Sequence, residues 1–449
     1  MVDGDTARLY HALTSYQDGD DFPAPPADHP LVLQDLISND FATWPYPYKR
    51  YADDLPRFAL PRDLSQDPLA RLLFLSSGVV RTAQRENRPQ QLFRAAGSAG
   101  GRFPLELYVS RADGVHWYDP EAHALVRIGP AAGGEATTLV VTGVPWRTAW
   151  RYAERGFRHL YWDAGTMLAQ TLALAPAARL FTRFDDAAST RLVGADGVHE
   201  FPLALVALGD GAPRIEPGGT SATGAVDHAP RELPLITAAQ RAGDGAYAVG
   251  DPWPAAPTPP TDDLEDVILR RGSTRRMDAS ATIAKADYEA ALTYALTPAS
   301  QPHYIAVHGV EDVEPGLYRW PDITTPLRPG NLREELLRLC WDQDLGRDAA
   351  FVVMGATHLD RLGDRQYREA QLDAGLVEGR LHLAAYALGF GASGMTFVDS
   401  MFPATVGEPL AALLFTCVGV PRYRSKAGGG PGTPTSVVVP VAGLTLPES

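Results

Sequence analysis

The segment "RRGSTRR", residues 270–276, packs four arginines, a serine and a threonine into seven positions. Arg271, Ser273 and Arg275 fall on alternate residues within it. Guanidinium forks pair bidentately with phosphate oxygens, and a hydroxyl and the backbone N–H groups around Gly272 add donors. The chemistry this spacing suits is the grip of a phosphate. The same residues also fit a solvated basic face, so context must decide. "LEDVILR" before the cluster and "ATIAKADYEAALTYAL" after it read as helices, which puts the cluster at a helix end. No strand–GxGxxG–helix fingerprint is apparent, so a mononucleotide is expected rather than a dinucleotide.

The chain that must position this cluster has 449 residues, which predicts two or more domains. With 40 basic and 54 acidic residues its net charge is −14, which argues against nucleic-acid binding and against a polybasic membrane surface. No apolar run reaches the ~18 residues of a membrane span. The nearest, "MLAQTLALAPAARLF", is broken by Gln170 and Pro176. The opening "MVDGDTARLYHALTSY" is acidic and has no apolar signal core. Cys340 and Cys417 are too few for a disulfide framework or a Cys-based zinc site. His116, His159, His303 and His382 show no metal-ligand spacing and read as structural or surface residues. A cytoplasmic protein without a metal is expected.

The chain also repeats itself. "ERGFRHLYWDAGTMLAQTLALA" from Glu154 matches "DRQYREAQLDAGLVEGRLHLAA" from Asp364 at a constant offset of 210 residues. Each copy follows an apolar strand, "TLVVTG" or "AFVVMG", and continues as an amphipathic helix pattern. A short Asp-containing strand follows, "FDD" at Phe184 or "FVDS" at Phe397, and then a strand ending in Gly, "LALVALG" or "LLFTCVG". Upstream, "GVHWYDPEAHALVRI" mirrors "GLYRWPDITTPLRPG" as a hairpin. Two α+β copies are therefore expected, at 1–210 and 262–449. Residues 211–261 form a Pro/Gly-rich linker with a short helix at "LITAAQRA". The arginines 155, 158, 365 and 368 are expected to cap a helix or to pair with the acid before them. Asp163 and Asp373 read as helix-start residues. Trp146, Trp150, Tyr161 and Trp162 read as core packing, with a substrate-ring platform as the alternative.

"LEDVILRRGSTRRMDASATIAKADYEAAL" resembles the opening of the FMN-dependent nitroreductase family, with Met277 where that family usually has Phe. The resemblance implies that Arg271, Gly272 and Ser273 hold the FMN phosphate, with Arg275 nearer the N1–C2=O edge of the ring. A second basic pair after the last strand would be Arg424 and Lys426 in "VGVPRYRSK". The donor to flavin N5 would be a backbone N–H at Gly394 or Met395, in the loop "GFGASGMTF". In copy one, "FRAAGSAGGRFPLELYV" resembles the SagB-type (McbC-type) dehydrogenase branch, and implies that Ser98, Ala99 and Gly100 touch the flavin. The corresponding stretch of copy two, "ALTPASQPHYIAV", is shorter and lacks Ser-Ala-Gly.

The expected fold class is thus α+β, two tandem nitroreductase-like domains forming an intrachain pseudo-dimer. Copy two keeps the phosphate grip and copy one keeps the ring-side loop, which together would build one FMN site. The branch implies dehydrogenation of thiazolines and oxazolines on a peptide or carrier-bound intermediate, with biosynthetic partner proteins. A general NAD(P)H-dependent nitro or quinone reductase and a non-catalytic docking scaffold are the alternatives. The Lys-Tyr pair that the branch carries before its "(D/E)RxYR" element is Arg151-Tyr152 here. Arginine is a poor base, so Tyr152 would carry proton transfer if a nearby cation lowers its pKa. Either a monomer acting as a pseudo-dimer or a homodimer would complete the site.

Overall fold

The computed structural model describes residues 2–21, 27–84, 89–216, 221–261 and 263–438. Residue 262, where copy two is expected to begin, and its last eleven residues, 439–449, lie outside them. Copy one carries a seven-stranded antiparallel sheet. Its strands are β1 (Arg57–Ala59), β4 (Leu105–Arg111), β5 (Gly114–Asp119), β6 (Ala124–Gly129), β7 (Thr137–Gly143), β8 (Ala178–Phe181) and β9 (Phe201–Leu208), in the order β1-β6-β5-β4-β7-β9-β8. Copy two carries six: β10 (His303–Val307), β11 (Gly316–Arg319), β12 (Arg328–Pro329), β13 (Phe351–Thr357), β14 (Gly391–Met395) and β15 (Ala411–Gly419), in the order β12-β11-β10-β13-β15-β14. The last four strands of each order, β4-β7-β9-β8 and β10-β13-β15-β14, match one to one, as the sequence repeat requires. The third sheet mixes the copies. β16 (Thr435–Ser436) from the tail of copy two pairs in parallel with β2 (Val79–Ala83), which hairpins with β3 (Gln91–Arg94) of copy one.

Among the described residues the α-helices are α1 (Asp5–Leu13), α2 (Pro68–Ser77), α3 (Pro145–Tyr152), α4 (Gly156–Leu174), α5 (Asp186–Leu192), α6 (Pro234–Ala242), α7 (Leu264–Arg270), α8 (Lys285–Leu296), α9 (Arg333–Leu339), α10 (Asp344–Asp348), α11 (Asp364–Ala387) and α12 (Phe402–Val406). The repeated segments are α4 and α11. They are buried around nearly their whole circumference rather than amphipathic, because each lies between its own sheet and the other copy's long helix. The Gly of each Asp-Ala-Gly sits where the two helices cross. A Cβ on Gly165 would stand 2.4 Å from the Leu372 carbonyl oxygen, and one on Gly375 2.4 Å from that of Trp162. No side chain fits at that approach.

The repeated arginines join the copies. Arg155 and Arg158 bind Asp399 of copy two at 2.6 and 2.7 Å, and Arg365 binds Asp186 of copy one at 2.5 Å with Arg368 at 3.7 Å. They therefore pair across the interface, not with the acids before them. Burial raises the Asp399 carboxyl, but the two guanidiniums outweigh it and hold the pKa down to about 2. The predicted strands at Phe184 and Phe397 are displaced. β8 and β14 end at Phe181 and Met395. The following acids turn away to meet these arginines or to cap, as Asp185 caps α5 through the Ala188 N–H. The linker is packed rather than free: Leu233, at the N-cap of α6, and Leu235, Ile236 and Ala239 within it are buried in the core of copy one.

Candidate functional site

A cavity of about 620 Å³ opens between the copies, lined from copy one by residues 97–102, Trp150, Arg151, Tyr152 and His159, and from copy two by Ser273, Arg275, Trp341, Glu378 and residues 393–396. α7 stops at Arg270, and Arg271 follows in an extended conformation. The Arg271 side chain is 3% exposed and donates to the Ala95 carbonyl of copy one at 2.5 Å. Its Nε has no partner, and among the described residues no carboxylate forms an ion pair with it. Burial, reinforced by the charge of Arg81, pushes its pKa down to about 10. Arg81, on β2, donates to the carbonyls of Leu269 and Lys426. Nothing in the sequence singled out Arg81, which reaches this corner only through the mixed third sheet. Ser273 and Arg275 are exposed toward the cavity. Arg424 and Lys426 have exposed side chains and do not line it. Their segment nevertheless runs beside the cluster, with the Arg275 N–H on the Tyr423 hydroxyl and the Arg422 N–H on the Arg276 carbonyl.

Gly394 and Met395 belong to β14, not to a loop. β14 is an edge strand, so alternate backbone groups point away from β15. The Ala392 carbonyl uses that outer side to accept the Thr274 N–H, which ties the arginine cluster to the strand. By the two-residue alternation the Gly394 N–H faces the same way, and Met395 the other. Glu378, on α11, lines the cavity behind Gly394 and accepts from the Thr166 hydroxyl at 2.9 Å.

Residues 97–102 run along the opposite wall. A Cβ on Gly97 would meet the Arg271 guanidinium at 3.2 Å. One on Gly100 would meet Arg151 and the Tyr152 hydroxyl at 2.9 Å, and Gly100 holds φ +58°. Asp163 anchors this loop. It lies in the middle of α4 rather than at a helix start, because α4 begins seven residues earlier. It accepts from the Ser98 hydroxyl at 2.5 Å and the Ala99 N–H at 3.0 Å. Burial pushes its pKa up to about 8 against those two bonds. Asp373 does the same for copy two, accepting from the Ser300 N–H and hydroxyl and from the Gln301 N–H. Ser300 therefore does the work of Ser98, and what copy two lacks is only the glycine turn that follows.

Tyr152 stacks on His159 with ring centroids 4.0 Å apart. Burial raises its pKa over the opposing charge of Arg151, so the expected activation by a neighbouring cation does not prevail. His159, predicted as structural or surface, lines the cavity, and burial followed by Arg155 holds it well below the usual imidazole range. Trp150 and Trp162 line the cavity, whereas Trp146 and Tyr161 pack in the core.

The pseudo-symmetric position is a second cavity of about 830 Å³ that includes Pro298, Ser300, Gln301, Arg361 and Leu362. Linker residues 247–254 line it, and the Trp253 indole donates to Thr182 there at 2.8 Å. Among the described residues no helix is long and apolar enough to cross a membrane, and no group of three or more His, Cys, Asp or Glu could hold a metal.

No family model matches the chain. A solved structure assigned as a nitroreductase, from Anabaena variabilis, superposes on 93% of this chain and 99% of its own with a TM-score of 0.74 at 25% identity. A protein named as a nitroreductase in Methanocaldococcus jannaschii is 26% identical over 166 residues, covering 31% of this chain and 78% of the relative. The Escherichia coli microcin synthetase McbBCD complex overlaps 36% of this chain and 70% of its own at 16% identity with a TM-score of 0.28, and that partial overlap supports no conclusion about activity.

Proposed function

We propose that this chain, a tandem nitroreductase-family fold, is an FMN-dependent oxidoreductase holding one flavin between its copies. The observation that carries the reading is the Arg271 guanidinium. Among the described residues no carboxylate forms an ion pair with it, its Nε has no partner, and Gly97 lets the copy-one loop approach it closely. A buried cation without a counter-charge is costly, and a phosphate is the ligand that would repay Arg271, Ser273 and the backbone around Gly272. Arg275 would face the ring edge, the Gly394 N–H would donate to the ring, and Ser98, Ala99 and Gly100 would close the copy-one side. Bound there, FMN supplies a two-electron carrier. Linker residues 247–254 lining the pseudo-symmetric cavity, and the absence of a second arginine cluster, favour one flavin per chain.

The direction of the chemistry has two readings. Azoline dehydrogenation on a peptide or carrier-bound intermediate rests on the likeness of residues 93–109 to the SagB-type branch. It requires a proton acceptor, and Glu378 and Asp163 are the carboxylates that line the cavity among the described residues. Reduction of nitro or quinone substrates by NAD(P)H is favoured by Tyr152, which burial keeps as a phenol, a donor rather than an acceptor. The absorption spectrum of the purified protein and the identity of the flavin released by heat test the core of the proposal. A colourless protein that takes up no FMN, or one that releases FAD, refutes it. Loss of two mass units from an azoline peptide selects the first direction, and NADPH oxidation on adding a nitroarene selects the second.

A further inference from the structure

Residues 420–426 run antiparallel beside residues 275–278. The Asp278 N–H donates to the Val420 carbonyl at 2.8 Å, the Arg422 N–H to the Arg276 carbonyl at 3.1 Å, and the Arg275 N–H to the Tyr423 hydroxyl at 2.9 Å. Met277 is buried, so the side chains that flank it turn outward. The pairing brings Arg275, Arg276, Arg422, Arg424 and Lys426 together, and all are exposed. Among the described residues none of them forms an ion pair with a carboxylate, whereas neighbouring Arg270 is matched by Asp266 at 2.5 Å. Asp278 lies among these cations, but its carboxylate accepts from the Ser280 N–H and hydroxyl at 3.0 and 2.6 Å. A chain of net charge −14 thus carries a local group of cations without matching acids. Arg424 and Lys426 do not line the cavity. Nor do the charges converge on one point: Arg422 and Lys426 are four residues apart, a reach of up to ~14 Å. Charges so spread, on exposed side chains, suit several separate contacts with a row of acids rather than the convergent grip of one small anion.

We infer that Arg276, Arg422, Arg424 and Lys426 form a docking surface for an acidic polypeptide segment. The surface adjoins the cavity through Arg275, which belongs to both. Attraction between the patch and such a segment acts over ~8 Å at physiological salt and speeds encounter more than it tightens binding. A short acidic segment meets the patch alone. A long nucleic acid would also run along the acidic remainder of the surface, which repels it. The inference stands on the patch and does not need the oxidoreductase reading of the cavity.

The test uses the purified full-length chain and fluorescein-labelled oligoglutamate, with a Gly-Ser peptide of equal length and a single-stranded oligonucleotide for comparison. Binding is read by fluorescence anisotropy, with flavin content and melting temperature measured in parallel. Oligoglutamate is expected to bind at least about tenfold more tightly than the Gly-Ser peptide at low salt, and to weaken as salt rises. Arg276→Glu combined with Arg422→Glu should abolish that preference at unchanged flavin content and melting temperature. Arg191→Glu, at an exposed arginine on α5, should leave it intact. The lysines of the chain are Lys49, Lys285 and Lys426, and Lys49 is buried. Carbodiimide coupling of oligoglutamate carboxylates to lysine amines should therefore mark Lys426 and spare Lys285. Equal affinity for oligoglutamate and the Gly-Ser peptide overturns the inference. So do a preference that survives the paired reversal, coupling at Lys285 in place of Lys426, and an oligonucleotide that binds more tightly than oligoglutamate. Flavin lost in the paired variant also overturns it, because these arginines would then serve the flavin. A flavin-free wild type that keeps both the preference and the mark on Lys426 would sink the proposed function while leaving this inference standing.

Discussion

Replacing Arg271 by Met should move protein stability and flavin affinity in opposite directions. Arg271 is 3% exposed and its pKa falls from the ordinary arginine range to about 10. That fall corresponds to about 3 kcal/mol against the charged form. The penalty is present in full at any pH below the folded value of about 10 and vanishes only where the unfolded chain also loses its proton. At neutral pH the flavin-free protein therefore carries the whole cost, relieved in part by the bond to the Ala95 carbonyl. Methionine keeps the apolar stem and removes the charge. Urea unfolding of flavin-stripped protein should show the variant unchanged or up to ~2 kcal/mol more stable. FMN titration should show it weaker by about 2–5 kcal/mol, or roughly thirtyfold to several thousandfold in Kd, the loss on removing one partner of a buried charged pair. A merely structural arginine would give the reverse, a less stable apoprotein with unaltered FMN affinity, and that pattern would refute the assignment of Arg271 to a phosphate.

Asp399→Asn leaves Arg155 and Arg158 buried without a counter-charge and should cost about 3–5 kcal/mol in urea unfolding. Because the folded pKa of Asp399 is depressed, its contribution is complete above the unfolded value near 4 and is lost as pH falls through about 2; a wild-type-like acid unfolding curve in the variant would contradict this. Asp163 has the opposite sign, its folded pKa being raised to about 8, so its ionisation subtracts stability as pH rises from ~4 to 8. Asp163→Asn should flatten that slope in pH-resolved melts at little cost at pH 6, and an unchanged slope would refute the assignment. Gly100→Val meets both a φ of +58° and the Arg151 and Tyr152 contacts, and should lower FMN or substrate affinity at least tenfold, whereas Ser300→Ala in the second cavity should leave flavin content unaltered.

What the sequence determined by itself was whatever is written in local pattern. The 210-residue repeat, the alternation of apolar strands with long helices, and Arg271-x-Ser273-x-Arg275 at a helix end were all legible, because each depends on residues close along the chain. The tandem α+β fold followed from them. The tertiary structure decided what the same residues touch. Asp163 and Asp373 read as helix-start residues because helix-capping statistics are local, yet each sits in mid-helix and holds a loop. Arg155, Arg158, Arg365 and Arg368 could be given only local partners from sequence, while these acids lie 179 residues away at the nearest and 244 at the farthest, in the other copy. Arg81 and Arg102 carried no motif, and each gains meaning only from where folding buries it: one beside Arg271, the other against the indoles of Trp44 and Trp150. Charge compensation is a property of three-dimensional neighbourhood. For that reason the arginine cluster could be read from seven residues, and the buried arginines around it could not.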